Sequence, residues 1–172
     1  MFGILLLLAS SSIVGTGTDY MTEIGAGRLL CSSPDLGTKT CSAITTFTIE
    51  ADGNASESAE ILISPSPPIT LEMSSTAEIK GSVNCSKLTL VQMKEGRLRI
   101  KGELLPPEQN EAALSKIIPM LASMADKRAC DELRIEAGQL IKVGQVDEVE
   151  VKLPGKPVIW IGADDGFRVA PR

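Results

Sequence analysis

The sequence contains no histidine. That absence removes Ser-His-Asp and Cys-His nucleophile systems, imidazole general bases and every metal site that needs an imidazole ligand. Aromatics are scarce: among 172 residues there are only Phe2, Tyr20, Phe47, Trp160 and Phe167. Positive charge is in deficit, with 17 Lys and Arg against 22 Asp and Glu and a formal charge of −5. That sign is wrong for a protein built to grip phosphate backbones, so no nucleic-acid partner is expected. Walker, G-x-S-x-G and S-x-x-K motifs are absent, and Gly25-Ala26-Gly27 lacks the third glycine of a dinucleotide loop. No cofactor is implied. What remains is a chain that is 43% hydrophobic and 23% charged, enough apolar residues for one folded domain rather than a disordered segment.

Residues 2–9 (FGILLLLA) are almost uninterruptedly apolar and are followed by Ser10-Ser11-Ser12. Such a run followed by small residues has the form of a secretory leader, and it is too short for the roughly 20 residues that span a bilayer. No Lys or Arg precedes it. Cleavage frames of small residues occur at Ala9-Ser10-Ser11 and at Gly15-Thr16-Gly17, giving a leader of about residues 1–18 and a mature domain of about 19–172. Leu29-Leu30-Cys31 does not read as a lipidation site, because Leu is bulky before a lipidated Cys and Glu23 and Arg28 would lie inside the leader. No transmembrane anchor is expected after cleavage.

Cys31, Cys41, Cys85 and Cys130 form an even set, which in an exported chain favours disulfides. Pro34-Asp35 and Gly37 can turn the chain so that Cys31 meets Cys41, leaving Cys85 for Cys130. A four-cysteine zinc site normally seats ligands in close C-x-x-C pairs, and none exists here. The same lack argues against a thioredoxin-type redox role.

Period-two alternation runs through Ala43, Thr45, Phe47 and Ile49, then Ala59, Ile61 and Ile63, a hairpin pattern with a longer loop near Asp52-Gly53-Asn54. Ser64-Pro65-Ser66-Pro67-Pro68 breaks the ladder as a loop within one sheet, since proline has no N–H to donate. Ile69, Leu71 and Met73 continue the alternation, and a short helical turn is expected before Met93. Further strands follow over residues 97–101, 133–136, 149–153 and 157–161, the last apolar on both faces and so an interior strand. Pro106-Pro107 starts the one long helix, with Leu114, Ile117, Ile118, Leu121 and Met124 as its apolar stripe. Pro119 should kink or restart that helix. The expected fold is α+β: an antiparallel sheet with one long, Pro-kinked helix packed on a face, stapled by disulfides.

Two clusters can be read chemically. Arg97, Arg99 and Lys101 make a basic stripe, best explained as a wet strand face paired with carboxylates such as Glu132, Glu148 or Glu150. Asp164-Asp165-Gly166 lacks the ordered oxygen spacing of a calcium loop and is explained by a type I turn. Asn54-Ala55-Ser56 and Asn84-Cys85-Ser86 fit the glycosylation pattern.

Cys31-Ser32-Ser33-Pro34-Asp35 with Cys41, the Ser64-Pro65-Ser66-Pro67-Pro68 turn and the closing Gly166-Phe167-Arg168-Val169-Ala170-Pro171 resemble exported proteins of sphingomonad-type alphaproteobacteria, over most of the chain after the leader. The resemblance implies a periplasmic setting and carries over no activity and no site residue. The sequence therefore predicts a periplasmic or secreted, non-enzymatic structural or protein-binding module, with another periplasmic or envelope protein as the class of partner. The alternative is a small hydrolase or carbohydrate-acting enzyme that uses carboxylates alone, with Asp164, Asp165 or Glu150 as candidates.

Overall fold

The computed structural model of the protein describes residues 17–50, 54–146, 149–152 and 154–172. The apolar run expected to be a leader, Asp52-Gly53, Glu148 and Leu153 lie outside the described residues. A short helix, α1 (Tyr20–Gly25), is capped by Asp19, whose Oδ1 accepts from the Thr22 amide at 2.8 Å. The chain then builds β1 (Arg28–Ser32), β2 (Thr40–Cys41), β3 (Ala43–Ile49), β4 (Ala55–Pro65), β5 (Pro68–Lys80) and β6 (Val83–Lys87). Next come α2 (Leu90–Lys94), β7 (Arg97–Ile100), β8 (Glu103–Leu104), α3 (Pro107–Leu121) and a 3-10 turn at Ala122–Met124. The last part holds β9 (Arg128–Glu136), β10 (Gln139–Val146), β11 (Val149–Lys152), β12 (Lys156–Gly162) and β13 (Arg168–Val169).

Eight of these strands close on themselves. Around the ring the order is β1, β3, β4, β5, β6, β9, β10, β12, each antiparallel to the next, and β12 returns to β1 with Leu30 opposite Trp160. This is an up-and-down barrel, and it overturns the expected open sheet with a helix laid on its face. Strands take up 52% of the described residues, and among these only one helix reaches seven residues. The physical reason lies in what alternation reports. It says that one face is buried, and an inside face of a closed barrel alternates just as one face of an open sheet does.

Turn chemistry fits the meander. Ala137-Gly138 and Lys101-Gly102 both have positive φ at each residue, as a two-residue turn between right-twisted strands requires. The proline-rich segment is tighter than a broken ladder: β4 and β5 pair up to Pro65 opposite Pro68, with a bulge between Leu62 and Ser64. Strand β12 is apolar on both sides for two separate reasons. Val158 and Trp160 point inward, whereas Ile159 and Ile161 pack outward with Leu29, Ile44, Phe167 and the Cys31–Cys41 disulfide. That outer layer is held by the parallel pair β2 and β13.

Inside, α1 plugs one end. The Tyr20 amide bonds to the Gly81 carbonyl in the β5–β6 turn, and Tyr20, Leu30, Phe47, Leu133, Leu140, Val158 and Trp160 fill that half. Tyr20 meets Phe47 and Trp160 edge-on at 5.6 and 5.5 Å, geometry that adds about 0.5–1.5 kcal/mol per pair beyond area burial. The Trp160 indole donates to the Gly17 carbonyl at 2.9 Å, so residue 17 packs with the domain. A Cβ at Gly17 would collide with the Glu23 carboxylate, which is paired with Arg28.

Between β6 and β9 the chain leaves the barrel for residues 88–127 and builds the opposite cap. Strand β7 pairs with the far end of β5 and extends the sheet past the ring. Helix α3 packs Leu114, Ile117, Ile118 and Leu121 on Leu71, Leu98 and Ile69 of that extension. Asn110 pins it, accepting from the Leu98 amide at 2.8 Å and donating to the Gly96 carbonyl at 2.9 Å. The helix runs through Pro119 and ends at Leu121, so the expected kink is a termination in the last turn. Thr89 and Gln92 form a capping box on α2.

All four cysteines are bridged, Cys31 to Cys41 and Cys85 to Cys130, the pairing the turn residues suggested. The second bond joins β6 and β9 at the base of the 88–127 insertion, where Cys85 lies directly opposite Cys130.

Candidate functional site

The inward positions of the middle barrel layer are polar. Counting by two from Ala59 places Glu57 on the inside of β4, and the register sets it beside Ser75 of β5. The Glu57 carboxylate accepts from Ser75 Oγ at 2.9 Å and from Asn84 Nδ2 at 2.7 Å. Asp131 is paired with Lys142 at 3.3 Å. Burial, and then the negative charges of Asp131 and Glu57, push the Tyr20 phenol well above its ordinary pKa. Its hydroxyl, and Asn84 Oδ1, are buried without a hydrogen bond from the protein.

Above this layer, in the half opposite α1, lies a cavity of about 290 Å³, near the small end of the ~300–1,000 Å³ typical of ligand pockets. Its floor is Glu57, Ser75 and Ser86. Ala59, Ile61, Met73, Ala129 and Val146 form the barrel wall, and Leu88, Met93, Leu121, Met124 and Lys127 come from the insertion that roofs it. Eight strands enclose just enough room to be filled by side chains or to hold one small ligand. Here the α1 half is filled and the other half is open. Methionines suit such a wall because their flexible thioethers adapt to varied shapes. Around the cap, Met120 is 80% and Val91 65% exposed.

The outer face is of the opposite character. Thr46, Ser58, Glu60, Glu72 and Ser74 point outward from β3, β4 and β5. A groove of about 420 Å³ on this face holds Glu60 and Glu72, directly opposite each other, beside Arg99 and Phe167. Its charges already satisfy one another. Arg97 bonds Glu72, Arg99 lies 3.9 Å from both carboxylates, and Thr70 Oγ1 donates to Glu60 at 2.6 Å. The basic stripe is therefore neutralised by Glu60 and Glu72; of the expected partners, Glu132 lies with Arg134, whereas Glu148 and the Glu150 side chain lie outside the described residues, and Lys101 sits in the following turn.

Asp165 closes its own turn, accepting from the Gly162 amide at 2.7 Å, with Asp164 exposed beside it. Neither lines the cavity, and the Glu150 side chain lies outside the described residues. The second glycosylation candidate, Asn84, faces the barrel interior and is engaged with Glu57. Among the described residues no group of three or more Cys, Asp or Glu is placed to hold a metal ion, and no helix is long and apolar enough to cross a membrane.

Sequence reading missed Glu57, Ser75 and the methionine wall. The available signal was parity: a carboxylate two positions before Ala59 breaks the apolar face of that strand. No family model matches the chain, and neither a curated protein nor a solved structure does.

Proposed function

We propose that the protein is an exported, non-enzymatic binding module that holds one small apolar or amphiphilic molecule in the capped half of its barrel. The observation that carries this reading is the cavity above Glu57, with apolar walls and a roof of α2, the end of α3 and the following turn. Export is supported by the bridging of every cysteine, since such bonds persist in oxidising compartments. A periplasmic setting rests on the sequence resemblance and on the apolar leader. Carboxylate-only catalysis is less well supported: Asp165 is spent on its turn, and Glu60 and Glu72 are held by arginines and hydroxyls.

Calorimetric titration with 1-octanol tests the reading. One molecule should bind per chain with a negative heat-capacity change, the mark of apolar burial. No saturable binding of octanol, with the barrel shown to be folded, would overturn it.

A further inference from the structure

We infer that the cavity selects amphiphiles with a protonated amine head, which ion-pairs with Glu57; this rests on the cavity being the binding site. Glu57 is a carboxylate at the floor of a largely apolar chamber, and its two protein contacts, Ser75 and Asn84, are both neutral donors. No cation among the described residues lies within ion-pair distance of it. The layer's one inward lysine pair is already complete, Lys142 being on Asp131. Lys127, the cavity's other charge, belongs to the segment that returns from the cap to β9 and makes no ion pair with Glu57.

The Glu57 carboxylate therefore has no ion-pair partner among the described residues, and its spare capacity is for a donor. A carboxylate offers about four lone-pair sites, of which the protein uses two. Asn84 Oδ1, buried in the same layer, accepts nothing from the protein. An alkylammonium brings three donors and a positive charge, and its chain would lie against Ala59, Met73, Met93 and Leu121. At the ~30 Å³ a water occupies in the liquid, the cavity takes roughly ten non-hydrogen atoms, which matches an eight-carbon amine.

The experiment compares octylamine, octanol and octanoate on the native chain by calorimetry near pH 7, where an alkylamine is protonated as a lysine side chain is. Octylamine should bind about tenfold more tightly than octanol, because hydrogen bonds to charged groups are roughly twice as strong as neutral ones. It should displace octanol, and octanoate should bind most weakly. The Glu57→Gln variant should bring the amine down to the level of the alcohol. Equal binding of all three ligands would overturn the head-group assignment while leaving the binding module intact. Amine binding that does not displace octanol would place it on the acidic surface and also overturn it. Failure of all three to bind would remove the binding reading itself. Should Glu57→Gln not fold, the ligand series on the native chain decides alone.

Discussion

Breaking the Cys85–Cys130 bond isolates what holds the cap to the barrel. Strands β6 and β9 are neighbours in the ring, yet residues 88–127 intervene between them, and the disulfide closes the base of that excursion with a separation of 45 residues. In the chain-entropy picture a closed loop of that length stabilises by about 4 kcal/mol, whereas the ten-residue separation of Cys31–Cys41 gives nearer 3 kcal/mol. The double variant Cys85→Ala/Cys130→Ala should therefore lose about 4 kcal/mol, most of a small domain's net stability. For a chain of this length that lowers Tm by about 8–16 °C. The assay is equilibrium urea denaturation followed through Trp160, the single tryptophan, which sits in the barrel half remote from the cap. Each single variant should lose as much as the double, because either one removes the bond. A loss below about 1 kcal/mol would refute the loop-closure argument, and so would a single variant that keeps native stability.

Trp160→Phe removes the bond to the Gly17 carbonyl and shrinks a fully buried side chain, so it should cost about 2–3 kcal/mol in thermal unfolding by circular dichroism; unchanged stability would contradict the packing described. The same bond distinguishes chains that start at the two cleavage frames the sequence suggests. A chain starting at Ser12 should be about 1 kcal/mol more stable than one starting at Thr18, which lacks Gly17, and equal stability would remove that contact from the account. Tyr20, the single tyrosine, has a raised pKa in the fold. Its contribution is therefore complete below the unfolded value of about 10 and is lost as pH rises above it. Phenolate absorbance should appear only together with the unfolding change in Trp160 fluorescence, and phenolate in a still-native chain would contradict the burial.

How much of this could be read from the residues differs from strand to strand. Where one face is apolar and the other polar, as in β3, β5 and the end of β9, the alternation was legible. Strands β1 (RLLCS), β6 (VNCSK) and β10 (QLIKVGQV) were not, because their inward positions include Ser32, Asn84, Lys142 and Gly144. A polar middle layer erases period two just where the ring needs those strands to close. Without them the remaining alternation fits an open sheet, and the helix stripe then has only a sheet face to cover. The stripe itself was legible, but its target was not, since β7 extends β5 beyond the ring. The disulfides followed from spacing and turn residues. The cavity could not, because it arises from side chains of β4, β5, β6, β9 and β10 meeting the insertion. Hydropathy reports burial one residue at a time and carries nothing about enclosed space.

The central claim is that an apolar chamber, walled by Met73 and roofed by Met93 and Met124, takes a ligand while the α1 end stays sealed. Methyl-labelled methionine spectra recorded during an octanol titration test it most directly. The account predicts saturable shifts at Met73, Met93 and Met124, with Met21 on α1 unmoved. Shifts confined to Met120 and Met21, with Met73 and Met93 silent, would place the ligand on the surface and contradict it.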